Sequence, residues 1–389
     1  PAAAGACTPN DPSATFLTGI EHGRSSTVSG APFSVGSNAG GSGGVDSGTV
    51  RSGNYSLRAA PSGGSVFRDK VVNWTPVVLE RFYLRLDSLP STDVRELAAM
   101  YSTSYSGKGQ APRYAAHLGY KASSGKLTME LNDRNRGTPV EASAPITAGD
   151  WHLVEMRYDV SAPTNRVDWR IDGVDEPQAT VNGVATKINE VIWGSTFADT
   201  YTANYDDLMI SQTAADYPLG EGRILGLSPN DSAGPHNNPA DFRDVENGVG
   251  SPIGSLSFNA VNDVPMDHGR HIAQINNNAS SYVQFGFGDT AEPCVRAVYG
   301  WVAWDPQNTK SANNGKTSVF DGSAENVIWS GYMNYQSTEE WFRGAVIHPA
   351  SGDWTTDEVN GLVARVGYST DTSPRPWWDS LLLEYEASP

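Results

Sequence analysis

The sequence predicts an all-β protein built from two β-sandwich domains, and three observations carry that expectation. Glycine and proline are abundant, 40 and 24 of 389 residues, while charged residues reach only 18%, a turn-rich balance unlike that of a helical chain. The 11 Trp, 16 Tyr and 11 Phe supply the large side chains that fill a sandwich core and exclude a disordered chain. Apolar and polar residues also alternate with period two over one stretch after another. The length fits two domains at roughly 100–200 residues each.

Taken in order, residues 1–15 read as a small, polar tail, and the Gly/Ser-rich run from Gly36 to Gly48 as a long surface loop. Strands follow at Val78–Leu86, Arg113–Tyr120, Lys126–Leu131, Trp151–Tyr158 and Arg166–Asp172. In the last of these, Val167, Trp169 and Ile171 share one face, and Arg166, Asp168, Arg170 and Asp172 share the other. One buried and one wet face is the mark of an antiparallel sandwich. The pair Asp172-Gly173 supplies a tight turn. The pattern breaks at Ala214 to Gly222, which places a boundary between a first domain over residues 16–213 and a second over 222–389. The second domain offers strands at Arg223–Leu227, Tyr282–Phe287, Val295–Trp304, Trp341–Ile347, Val363–Tyr368 and Leu381–Tyr385. It also offers one short helix, capped by Thr355 or Thr356, with Glu358 in its first turn and Val359, Leu362 and Val363 at helical spacing.

Charge and composition narrow the partners. With 27 Lys+Arg against 44 Asp+Glu the net charge is −17, and clustered cations for a nucleic-acid footprint are missing. No run approaches the ~20 apolar residues of a membrane helix. Cys7 and Cys294 are too few for a disulfide scaffold, and they leave a bridge and two separate thiols equally open. The opening Pro1-Ala2, without a leader, is read as Met trimming in a cytoplasmically made chain.

The residues offer little catalytic chemistry. Glycan-cleaving sandwiches need two carboxylates flanking one bond, and the nearest pair, Glu130 and Asp133, falls on opposite faces of a strand. Asp263, Asp267, His268 and His271 form a weak metal-like cluster on a loop, with no glutamate base between the histidines. The remaining histidines, His22, His117, His152, His236 and His348, are scattered, and no nucleophile elbow is present. The better ion hypothesis is a structural Ca²⁺ held by Glu21, beside the first strand, and Asp206 and Asp207 in the last strand of the first domain, because hard carboxylate oxygens suit that cation. Among the many tryptophans, Trp377 and Trp378 cannot both point inward on one strand, so they and Trp304 are candidates for a ligand-binding or interface surface.

Arg51 to Leu57 (RSGNYSL), Gly149 to Glu155 (GDWHLVE), Val167 to Gly173 (VDWRIDG) and Tyr205 to Leu208 (YDDL) together resemble the laminin G-like, concanavalin A-like jelly roll. In that family the first strand and the Asp-Asp strand lie side by side, as the calcium reading requires. Tyr217 to Leu225, Ser228 to Asp231, Asp263 to Asp267 and Gly352 to Leu362 look like the β module that follows such domains in tailed-phage virion proteins. The resemblance implies a non-enzymatic component of a phage particle (capsid decoration, fibre or tail), made in the host cytoplasm. It further implies a homo-oligomer that contacts other virion proteins and host-surface glycans. Two rivals on the same fold are a secreted bacterial carbohydrate-binding protein and a polysaccharide lyase or glycoside hydrolase.

Overall fold

The computed structural model describes residues 14–23, 33–34, 36–102, 114–133, 135–136, 138–182, 187–230, 239–246, 249–252, 259, 261–262, 270–274, 281–305, 313–333, 341–349, 354–367 and 377–387. Among these the fold is all-β, with antiparallel pairing throughout and one short α-helix, Thr356–Asn360. That helix carries a complete capping box: Thr355 accepts from the Glu358 amide while the Glu358 carboxylate accepts from the Thr355 amide, satisfying two otherwise orphaned donors.

The first sandwich is one 15-stranded sheet that contains every strand from Ala14–Thr18 to Ala203–Ser211. It curls until Thr164–Ile171 and Ala179–Asn182 approach Lys126–Asp133, and it encloses a core that includes Phe82, Leu84, Met156, Tyr158, Trp169, Leu118 and Met129. Period-two alternation decides which side chains go inside. On Lys126–Asp133, Leu127, Met129 and Leu131 enter the core, which leaves Thr128 and Glu130 on the opposite face. The predicted split of Thr164–Ile171 holds, with Val167, Trp169 and Ile171 buried. Its turn is Asp172-Gly173, both at positive φ, 50° and 78°, the conformation that a two-residue hairpin demands.

The run expected to be a surface loop is instead a strand, Gly36–Asp46, paired along Ser56–Thr75. Its small residues have little to bury, so its place in the sheet comes from backbone pairing rather than from hydrophobic pattern. At Gly40 (φ +102°) a Cβ would stand 2.6 Å from the Gly64 Cα, so glycine is required on both counts.

The second sandwich packs a seven-stranded sheet, whose central members are Val295–Asp305 and Trp377–Ala387, on a four-stranded sheet of Tyr282–Gly286, Asn313–Asp321, Ala324–Met333 and Val363–Gly367. Among the described residues no sheet mixes strands up to Ala203–Ser211 with strands from Arg223–Leu227 onward. The two sandwiches meet through a sheet buried on both faces. Val298, Val302, Leu381, Leu383 and Tyr385 point into the second core, while Ala297, Tyr299, Trp301, Ala303 and Leu382 join the first. At this seam Phe16 meets Tyr299 and Trp301 edge-on at 6.1 and 6.2 Å, a preferred aromatic geometry.

Candidate functional site

The predicted ion cluster does assemble. Ala14–Thr18 pairs with Ala203–Ser211, Thr18 opposite Leu208, and a bulge after Asp206 puts Asp207 at φ 53°. This brings Glu21, Asp206 and Asp207 to the turn at residues 51–55, all of them buried. Their oxygens are taken by protein donors. Glu21 accepts from the Asn54 amide at 2.9 and 3.0 Å and from Asn54 Nδ2 at 3.0 Å. Asp206 accepts from the amides of Arg51 and Asp207, each at 2.8 Å. Asp207 accepts from Arg51 Nη1, Ser52 Oγ and the Ile224 amide. The Arg51 guanidinium is already paired with Asp207, and no group of three or more acidic, His or Cys side chains among the described residues is placed to hold a metal. A hard cation needs several free inward oxygens, so these residues do not fit a calcium site.

The cluster is instead part of the seam. Glu384 accepts from Thr18 Oγ1 (3.0 Å), the Glu21 amide (2.8 Å) and Trp301 Nε1 (2.6 Å). Arg81 and Arg296 grip Glu386 from the two sides. Burial pushes Glu384 up to about 8 and Glu21 to about 7. Burial, then the charge of Asp207, pushes Asp206 well above the carboxylate range.

The tryptophan expectation needs correction. Trp378 is fully buried in the second core, with its indole N–H donating to Thr317 Oγ1 at 3.0 Å, so it offers nothing to a ligand. Trp304 and Trp377 have their backbones in the strands Val295–Asp305 and Trp377–Ala387, and their side chains lie outside what the structure describes. Asp263, Asp267 and His268 also lie outside the described residues, as does the side chain of His271.

A different constellation lies on the outer face of the first sandwich, where Val94–Ser102, Tyr114–Lys121 and Lys126–Asp133 run side by side. One cross-strand row reads Ile192, Ala99, His117, Glu130. His117 Nδ1 lies 2.7 Å from Glu96 Oε2, which also accepts from Tyr101 Oη at 2.5 Å, while Glu96 Oε1 accepts from the Thr196 amide at 2.7 Å. Burial opposes ionisation of Glu96, but His117, Tyr101 and Thr196 outweigh it and hold the carboxyl below its ordinary range. His117 is thereby fixed in orientation beside Glu130.

Glu130 is only 8% exposed, and its Oε1 is buried without a hydrogen-bond partner. It lines a cleft of about 500 Å³ together with Asp93, Arg95, Lys121, Thr128 and Glu141, within the ~300–1,000 Å³ of small-ligand sites. Glu141 is opposite Thr128, so it shares a face with Glu130, and it is bonded to Lys121. Glu141 is held below its ordinary range by the Lys121 hydrogen bond first of all. The cleft thus presents carboxylates, a hydroxyl and a guanidinium, which can orient a hydroxyl-bearing ligand. Alternation alone assigns Glu130 and His117 to the polar faces of their strands. The register that makes them neighbours, and the pairing of residues as distant as Glu96 and Thr196, is set by tertiary pairing that no local pattern encodes.

No protein-family model matches the chain, and no curated protein matches it. Similar solved structures exist at low identity. A sialidase is 9% identical over 53% of this chain and 19% of its own, with a TM-score of 0.34. An endo-1,3-β-glucanase from Streptomyces sioyaensis is 13% identical over 52% of this chain and 97% of its own, also at 0.34. A Bacillus subtilis protein of unknown function with a galectin-like fold is 12% identical over 40% and 82%, at 0.28. The chain spans about a fifth of the sialidase. These likenesses concern the β-sandwich fold alone, and none of those named is a virion protein. The sialidase, the glucanase and an alginate lyase are enzymes, so the reading of this chain as non-enzymatic is withdrawn.

Proposed function

We propose that the protein is a secreted glycan-binding β-sandwich protein whose site is the Glu130 cleft. The observation that carries this reading is the buried, unpartnered Glu130 oxygen in the wall of a ligand-sized cleft. A buried acceptor without a donor costs ~1–3 kcal/mol, a cost that a ligand hydroxyl removes on binding. The surroundings are built for a fixed site: Glu96 pins His117, and Asp199 accepts from the amides of Arg95 and Glu96 at 3.1 and 3.2 Å. Sugar recognition is also where the expected host-surface glycan contact and the carbohydrate-binding alternative coincide. The secreted setting draws on Cys294, which is disulfide-bonded, a state that persists in oxidising compartments. The reading does not require a phage particle.

Electrophoresis through gels cast with single soluble polysaccharides tests it. The full chain is expected to be retarded by at least one polysaccharide, and Glu130→Ala to run as in the plain gel. Equal mobility of both proteins in every gel would sink the reading.

A further inference from the structure

The lining of the Glu130 cleft carries a second unmatched group besides the Glu130 oxygen. Arg95 Nε is buried with no acceptor, while the Arg95 guanidinium stacks on the Phe197 ring, Cζ 3.8 Å from its centroid. One wall therefore lacks a donor and another lacks an acceptor. A sugar hydroxyl is both donor and acceptor and can satisfy the two, in neutral and acidic sugars alike, so the charges of the lining decide between these classes.

Those charges are acidic on balance. Asp93, Glu130 and Glu141 face Arg95 and Lys121, one acid in excess, and Lys121 is already bonded to Glu141. Among the described residues no ion pair holds Glu130, and it is the most deeply buried acid of that set. An anionic sugar placed there would set its carboxylate against that of Glu130, and like charges repel most strongly where water is thin.

On these grounds, and resting on the glycan-binding reading above, we infer that the cleft selects uncharged, hydroxyl-rich sugars and rejects uronates and sialates. Glu130 and Arg95 are the specificity-determining pair. Glu130 takes a proton of a sugar hydroxyl into a hydrogen bond, and Arg95 donates to a sugar oxygen. No bond is made or broken in this step.

Titration calorimetry on the full chain tests the inference, with hexasaccharides of neutral glucan, mannan, xylan and galactan set against oligouronates of the same length and sialyllactose. The best neutral sugar is expected to bind at least about ten-fold more tightly than any acidic one, a difference of ~1.4 kcal/mol. Glu130→Gln keeps the shape but removes the charge, and is expected to weaken the neutral sugar and to narrow the gap to the acidic ones. Thermal denaturation of the variant establishes that it folds. Acidic sugars binding as tightly as neutral ones, or a gap unchanged in Glu130→Gln, overturns the inference and leaves the glycan-binding reading standing. No binding from either class overturns that reading, and this inference with it.

Discussion

Two regions of the molecule bury acidic side chains, and they do so in opposite ways. At the seam between the sandwiches, Glu21, Asp206, Asp207 and Glu384 each accept from protein donors. In the outer cleft, Glu130 leaves an oxygen without one. Burial alone therefore does not mark a functional acid. A buried carboxylate with a full set of donors holds structure together, whereas one facing a ligand-sized space with a lone pair unused is waiting for a partner. Glu80 shows that both conditions are needed. Neither of its oxygens has a hydrogen bond, but it is wholly enclosed, and burial pushes it well above the carboxylate range, which favours the neutral acid.

The sharpest way to break the comparison is to open the seam. Arg81 is fully buried and binds Glu386, with Arg296 on the same oxygen. Removing one partner of a buried charge set costs ~3–5 kcal/mol because the remaining charge is stranded. Arg81→Ala is expected to lose about that much in urea denaturation, with the two sandwiches no longer unfolding together. A loss below about 1 kcal/mol, the scale of an exposed pair, would show that the seam is not held by its ions.

A smaller effect is expected from pH. Folded, Glu384 and Glu21 keep their protons up to about 8 and about 7, against an ordinary 4.5. Folding therefore takes up protons between these values. The stability these two groups provide is complete below about 4.5 and is lost as pH rises to about 7 and 8, since the unfolded state binds fewer protons there. Denaturation of the wild type at pH 5, 6.5 and 8 is expected to give decreasing free energies, on the order of a few kcal/mol across the series. Glu384→Gln cannot titrate and is expected to flatten the slope. The same slope in both proteins would remove Glu384 from the seam's pH response.

How much of this was legible in sequence follows from what local pattern can carry. Period two placed Val167, Trp169 and Ile171 inside, and the capping residues placed the start of the helix Thr356–Asn360, because each depends on neighbours a few positions away; the helix stops before Leu362 and Val363, which the spacing had put on it, and Val363 opens a strand. The juxtaposition of Glu21 with Asp206 and Asp207 was also legible, given adjacent first and last strands. Its meaning was not, because the donors come from Arg51, Ser52, Asn54 and Ile224, and acid positions alone do not reveal who neutralises them. Gly36–Asp46 was missed because a strand of glycines and serines has no hydrophobic period to read. Trp378 was misplaced because strand alternation says that one of two adjacent tryptophans faces in, without saying which. The cleft was hidden by register: His117 and Glu130 are opposite one another only once Tyr114–Lys121 and Lys126–Asp133 are paired.

The finest test of the contrast uses the stability of Glu130 variants, since function and structure predict opposite signs. If the Glu130 oxygen is an unmet acceptor kept for a ligand, its carboxyl costs the free protein stability, and replacing it with a side chain of similar size but no polar atoms removes that cost. Glu130→Leu is then expected to raise the unfolding free energy of the ligand-free chain by about 1 kcal/mol, the low end of the ~1–3 kcal/mol charged to an unsatisfied buried group. The same substitution is expected to abolish sugar binding. Glu384→Leu is the control, for it strands the Trp301 indole, the Thr18 hydroxyl and the Glu21 amide, three donors that need an acceptor, and must destabilise. Urea denaturation of both variants, without sugar and at one pH, decides the matter. Destabilisation by Glu130→Leu as well would place Glu130 with the structural acids of the seam, and the cleft would lose the feature that sets it apart.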